Sequence, residues 1–400
     1  MKKNLSLIIC AALLLSGCGT SAEKDKTAES KTASSQSQTQ EQTQSQAKEP
    51  AFESKTSGLP SLKDIYAGDF YIGTAVSPYQ LSDIDSMCLI REQFNSMTCE
   101  NEMKPDSILD KQTTLSDIEK YRECPAVHFD SCAAQIEFAE ENGIKMRGHT
   151  LVWYSQTPDW LFYKDYDTNG ELADRELMLK RMENYIKTVF EWAGTEHPGL
   201  FYAWDVVNEA AADQGQKKRD CLWLQTIGDD YIEKAFEYAR KYQPYGVKLY
   251  YNDYNAFQTN KQLEIIDFLK PVAEAGNIDG VGMQSHIGTW CDPESYGEAV
   301  RRYNKELGVE ISITELDISK DNTDEWEKNQ GEYAQRFMEK ILALKSEGVP
   351  IESFTVWGLT DTSSWKKQES PLFFDGVLNP KPSFYGLVAA KDPEAAKVEE

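Results

Sequence analysis

Cysteine, histidine and positive charge are all scarce in this chain. Eight cysteines in 400 residues are too few for a disulfide scaffold, and no Cys-x-x-Cys pair marks a zinc site. There are only four histidines. No Gly-x-Gly-x-x-Gly follows the first strand-like run, and Gly-rich phosphate loops and arginine clusters are missing. The apolar run "LSLIICAALLL" (5–15) is too short to span a bilayer. Positive charge is scarce, with 42 Lys and Arg against 66 Asp and Glu, a net charge of -24. Such a surface repels phosphates and argues against nucleic acid and anionic membrane as partners.

The aromatics, by contrast, are generous, with nine Trp and twenty Tyr. They suit a large core or platforms for flat ligands. At the N-terminus, Lys2 and Lys3 precede the apolar run, the layout of a targeting segment. "LSGC" (15–18) resembles a bacterial lipobox. That implies a signal peptide over 1–17, a lipid on Cys18 and a chain anchored on the extracellular face of the cell membrane. An ordinary signal peptide with an incidental cysteine is the alternative. Residues 18–57 hold almost no large apolar side chains and are expected to form a disordered linker. As a flexible coil it would reach roughly 35 Å. The six body cysteines read as small buried hydrophobes, and a local Cys124–Cys132 bridge stays open.

From residue 58 short β-branched runs alternate with longer stretches of helical period. Eight runs read as strands: 70–76, 94–101, 144–153, 202–210, 248–255, 280–287, 309–318 and 352–361. Several intervening helical patterns end in a glycine that suits a C-cap. Eight alternations predict an α/β protein, a (β/α)8 TIM barrel over 58–391, with a polar tail at 392–400. A doubly wound open sheet is the runner-up.

In each strand candidate the apolar residues come first and the polar ones last. In a TIM barrel the chemistry sits at those C-terminal ends. Glu100, Asn101 and Lys104 close the second run, and His149, Trp153 and Gln156 the third. Asn208 and Glu209 end the fourth, Tyr254 the fifth, and Gln284 and His286 the sixth. Glu315 and Asp317 end the seventh, while Trp357 and Trp365 follow the eighth. Two carboxylates among amides and flat aromatic faces suit a polyhydroxylated ring. Their chemistry is glycoside hydrolysis: one acid protonates the leaving oxygen, and the other attacks the anomeric carbon or activates water. His149 and His286 with Asp317 form a weak metal alternative, and no metal or cofactor is expected.

The segments "TCENEMK", "RGHTLVWYSQTPDW", "WDVVNEA", "NDYN", "GMQSHI", "ITELDI" and "VWGLTDTSSW" together resemble glycoside hydrolase family 10, the retaining endo-β-1,4-xylanases, over about 60–388. The resemblance implies that Glu209 is the acid/base and Glu315 the nucleophile. It implies that Asn208 binds the 2-hydroxyl of the attacked sugar. Glu100, Asn101, Lys104, His149, Trp153 and Gln156 would line the glycone subsites. Gln284 and His286 would flank the nucleophile, with Asp317 holding His286. Trp357 and Trp365 would close over the reacting sugar, and Tyr254 would serve the aglycone side. Xylan and xylo-oligosaccharides are the expected partners of a monomer, touching the membrane only through Cys18. Tyr154 and Pro105 stand where many members carry His and Trp. A surface protein that captures glycans without turnover and a β-1,4-glucanase are the competing readings.

Overall fold

The computed structural model describes residues 54–213 and 217–397. Nine parallel strands run in chain order: β1 (Tyr71–Val76), β2 (Ser96–Cys99), β3 (Lys145–Trp153), β4 (Phe201–Asn208), β5 (Lys248–Asp253), β6 (Gly280–Met283), β7 (His286–Gly288), β8 (Glu310–Ser319) and β9 (Ile351–Val356). β1 to β6 pair in sequence, β9 lies between β1 and β8, and β6 pairs with β8. Eight strands therefore close on themselves as a (β/α)8 barrel, and the open-sheet alternative falls. The strands are buried on both faces, which is why they read as continuous apolar runs; every residue of β4 is buried.

Helices cover the outside. Arg175–Glu196 buries Leu177, Met178, Arg181, Met182, Tyr185, Ile186, Val189 and Phe190, a stripe at spacings of three and four. Asp174 caps its N-terminus by accepting from Leu177 N. Gly143 and Gly308 end two other helices in the left-handed conformation. The buried Arg181 guanidinium donates to the carbonyls of Arg122, Leu161, Tyr163 and Lys164, tying together the loops that follow β2 and β3.

The structure departs from the sequence reading at four places. The expected strand 280–287 is broken: Ser285 takes φ +66°, so β6 stops at Met283 and the chain resumes on β8 as β7. The folded body begins before residue 58. Thr56 is buried and donates to Glu92 Oε2 (2.8 Å), a tertiary pairing that composition does not announce. The tail is partly docked, with Ala395 and Ala396 against the core. Cys124 and Cys132 are both free, because Cys124 Sγ faces Thr188 Oγ1 (3.8 Å) and Cys132 Sγ faces the Phe129 carbonyl (3.2 Å). The signal peptide, Cys18 and residues 18–53 lie outside the described residues. No helix among the described residues is long and apolar enough to cross a membrane.

Candidate active site

A cavity of about 600 Å³ opens at the C-terminal ends of the strands. It is lined by Glu100, Asn101, Lys104, His149, Trp153, Gln156, Asn208, Glu209, Tyr254, Gln284, His286, Glu315, Trp357 and Trp365. The polar residues read from strand ends thus meet on one surface. Asp317 lies behind it. Tyr154, Asn255 and Lys366 complete the lining.

The backbone at the mouth is unusual. Gln156, Glu209, Asn255 and Ser285 all have φ between +41° and +66°. Non-glycine residues rarely adopt this region, and such strain concentrates at functional sites. Glu209 turns out of β4 in this way, and its N–H donates to the Asn252 carbonyl (2.9 Å). Its carboxylate accepts from Trp153 Nε1 (3.0 Å) and Gln284 Nε2 (2.9 Å). The break in β6 aims Gln284 inward, while the Gln284 carbonyl accepts from Glu315 N (2.9 Å).

Glu315 is buried inside β8. Its carboxylate accepts from Asn252 Nδ2 (2.7 Å) and lies 3.2 Å from His286 Nε2. Burial by itself would raise its pKa. The His286 hydrogen bond, the charges of His149 and His286 and the Asn252 amide outweigh burial and hold it below the usual carboxylate range. His286 in turn lies 2.7 Å, Nδ1 to Oδ2, from Asp317. Burial disfavours the imidazolium, but Asp317 and Glu315 prevail and lift its pKa to about 9. At neutral pH His286 is therefore charged and donates from both nitrogens. Asp317 also accepts from Trp365 Nε1 (3.1 Å) and Lys366 Nζ (3.1 Å). Below Glu315, Asn252 Oδ1 accepts from Thr314 Oγ1 (2.6 Å). Only glycine fits at 282, since a Cβ there would stand 2.5 Å from Asn252 Oδ1.

On the opposite wall, Lys104 donates to Asn101 Oδ1 (2.8 Å) and Gln156 Oε1 (3.0 Å), with its ammonium over the Trp153 ring. Ser77 Oγ donates to Glu100 (2.5 Å). Asn208 packs its amide 3.0 Å from that of Asn252 and 3.2 Å from that of Gln284. His149 stands edge-on to Trp357 at 5.4 Å and is 3.0 Å from Asp205. Tyr254 donates to Asp213 (2.6 Å) and accepts from Arg219 (2.8 Å).

Sequence reasoning singled out neither Asp205, Arg219 nor Lys366. Asp205 carries a signal, a carboxylate within the apolar run of β4, and it pairs with the buried Arg147. Arg219 sits in a loop ten residues past Glu209, where it donates to the Glu209 carbonyl (3.2 Å) and stacks on Tyr154. Lys366 shows only as the neighbour of Trp365. Asp253, next to Tyr254, pairs with Lys261 (2.8 Å), and both are buried. His149 and His286 each hold a carboxylate, and no group of three or more metal-ligating side chains gathers among the described residues.

A closed parallel barrel whose mouth holds two carboxylates in different hydrogen-bonding environments, walled by aromatics, has the form of a barrel glycosidase. The family model of glycosyl hydrolase family 10 matches residues 61–390, and the chain belongs to that family. It is 41% identical over 341 residues to endo-1,4-beta-xylanase B of Butyrivibrio fibrisolvens, covering 82% of this chain and 53% of that protein. This chain thus spans about half of that relative's length. It superposes with a TM-score of 0.77 and 34% identity on the xylanase 10B CBM22-1–GH10 modules of Clostridium thermocellum complexed with xylohexaose, covering 83% and 67% of the two chains. With the intracellular xylanase of Thermoanaerobacterium saccharolyticum, in a mutant complex with xylotetraose, the TM-score is 0.73 at 35% identity, covering 83% and 99%.

Proposed function

We propose that this protein is a retaining endo-1,4-β-xylanase, with Glu315 as nucleophile and Glu209 as acid/base. The observation that carries the reading is the setting of Glu315. It is buried, yet His286 and Asn252 hold it ionised. A buried carboxylate kept charged is what attack on an anomeric carbon requires. Family membership and the xylo-oligosaccharide complexes of the related structures support xylan as the substrate.

In the first step a Glu315 oxygen bonds to the anomeric carbon, the glycosidic C–O bond breaks, and its oxygen takes the Glu209 proton. In the second, Glu209 takes a proton from water, the water oxygen bonds to the anomeric carbon, and the Glu315 ester bond breaks. The net configuration is retained. Asn208, beside Glu209 and Gln284, holds the 2-hydroxyl of the reacting sugar in this reading. Glu100, Asn101, Lys104, His149, Trp153 and Gln156 form the glycone wall, with Tyr254 on the aglycone side. Trp357 and Trp365 flank the reacting ring, and Asp317 orients His286.

The lipobox-like "LSGC" supports a lipid on Cys18 and a domain tethered at the outer face of the cell membrane. Labelling with a fatty acid that is lost in Cys18→Ala would support the anchor, and labelling that persists would remove it. The catalytic reading is tested by NMR of products from xylohexaose, with cellohexaose alongside. Internal cleavage with initial release of the β-anomer is expected. Initial α-anomer release would overturn retention, and cleavage of cellohexaose alone would overturn the choice of substrate.

A further inference from the structure

Glu209, the proposed acid/base, leaves β4 in the left-handed region at φ +54°. A non-glycine residue keeps such a conformation only where its surroundings hold it. On the side of β5 the hold is direct. The Glu209 N–H donates to the Asn252 carbonyl (2.9 Å), and the Ala211 N–H donates to the Tyr251 hydroxyl (3.0 Å). On the other side it comes from one residue, Arg219. The Arg219 N–H donates to the Ala210 carbonyl (2.8 Å). Its Nε donates to the Glu209 carbonyl (3.2 Å) and its Nη2 to the Ala211 carbonyl (3.2 Å). The carbonyls of three successive residues of the turn thus end on Arg219.

The guanidinium is itself fixed. It lies over the Tyr154 ring, 4.3 Å from its centroid, and donates to the Tyr254 hydroxyl (2.8 Å). It also pairs with Asp213 (3.3 Å). An arginine paired only with an exposed aspartate would contribute little. Here most of its donors are spent on the turn that carries Glu209. Four residues on, the buried Trp223 donates from Nε1 to the Trp153 carbonyl (3.1 Å). Trp153 Nε1 in turn donates to the Glu209 carboxylate (3.0 Å). One stretch of chain, 219–223, therefore holds both the backbone of Glu209 and the donor that aims its carboxylate.

We propose that Arg219 is a positioning residue for the acid/base, fixing the turn from which Glu209 delivers its proton to the leaving oxygen. This rests on the xylanase reading and on Glu209 as its acid. Proton transfer needs the acid within hydrogen-bond reach of the leaving oxygen, and a misplacement of about 1 Å costs roughly a hundredfold. Glu315 is held by Asn252 and His286 instead, so its attack does not depend on Arg219.

The test uses the full chain and two aryl xylobiosides, which share their sugars and differ only in the leaving phenol. Dinitrophenol departs without a proton, whereas phenol needs one. In Arg219→Ala, kcat/KM for the phenyl xylobioside should fall about thirtyfold and that for the dinitrophenyl one no more than about threefold. Arg219→Lys keeps a cation near Tyr154 but loses the fork, and should show the same selectivity to a smaller degree. Guanidinium ion at a low, non-denaturing concentration should return part of the phenyl xylobioside rate to Arg219→Ala and add nothing to wild type. No loss, equal losses on the two substrates, or a loss carried wholly by KM would overturn the proposal, in either variant. Wild-type protein inert on both substrates would instead remove the xylanase reading. Glu209→Ala is the reference: equal losses there would remove the acid assignment, and the role of Arg219 with it.

Discussion

His286 and Glu315 lie 3.2 Å apart, Nε2 to Oε2, and they set each other's charge. The imidazolium helps hold the carboxylate ionised despite burial, and the carboxylates of Asp317 and Glu315 keep the imidazole protonated to about pH 9. The charge of Glu315, the proposed nucleophile, is therefore tied to a group titrating well above neutrality.

This coupling predicts an alkaline limit. The folded pKa of His286 is raised, so its contribution is complete below the ordinary histidine value and is lost as pH rises through about 9. Wild-type kcat/KM should fall across that range. His286→Gln should erase that limb and lower kcat about a hundredfold. A limb near pH 9 that persists in the variant would assign it to another group.

Lys366 adjusts the same group from behind. Its ammonium holds Asp317 Oδ1 at 3.1 Å and Ser319 Oγ at 2.8 Å. Removing this cation relieves repulsion on the imidazolium and leaves Asp317 to His286 and Trp365. Lys366→Met should therefore move the alkaline limb upward by roughly half a unit and lower kcat a few-fold. A downward move would contradict the arrangement.

The acid/base assignment has its own signature. Glu209→Ala should cost a hundredfold or more, about 10²–10⁴, on xylan, whose leaving alcohol needs a proton. The loss should be far smaller on a dinitrophenyl xylobioside, whose leaving group does not. Steady-state rates on the two substrates decide the matter, and equal losses would take the proton from Glu209.

Asp205 tests the barrel interior. It accepts from Arg147 Nε (3.1 Å) and lies 3.0 Å from His149 Nδ1, with all three side chains buried. Burial opposes its charge, but Arg147 and His149 keep its carboxyl below the usual range. Asp205→Ala strands a buried guanidinium and should cost about 3–5 kcal/mol, seen in denaturant unfolding. The wild-type contribution is present above the ordinary carboxylate pKa and is lost as pH falls through the depressed one.

Much of this was legible in the chain because parallel strands bury both faces and expose only their ends. A run such as "WDVVNEA" announces β4 by its apolar residues and the mouth by Asn208 and Glu209. The strand ranges fell within a few residues of those observed, apart from the break at Ser285. That break needs a positive φ, which "MQSHI" does not advertise, although it is what turns Gln284 inward. Arg219 and Lys366 stayed hidden for another reason. Arg219 meets Tyr254 35 residues away and otherwise bonds within its own irregular loop, and Lys366 meets Asp317 49 residues away, so no helical or strand spacing records either. Thr56 escaped similarly, since its surroundings in sequence are those of a tether and its partner Glu92 is 36 residues away.

Cys88, Cys99, Cys124, Cys132, Cys221 and Cys291 are all free, and this bears on where such a barrel can work. Burial raises the thiol pKa of Cys99 well above its ordinary value, of Cys132 to about 12 and of Cys291 to about 11. Oxidants and disulfide exchange act on the thiolate, so these three sulfurs stay chemically silent while the barrel is folded. With no crosslink among its described cysteines and these three sulfurs shielded, the barrel holds its shape without disulfides, and a wrong bridge would have to start from Cys88, Cys124 or Cys221.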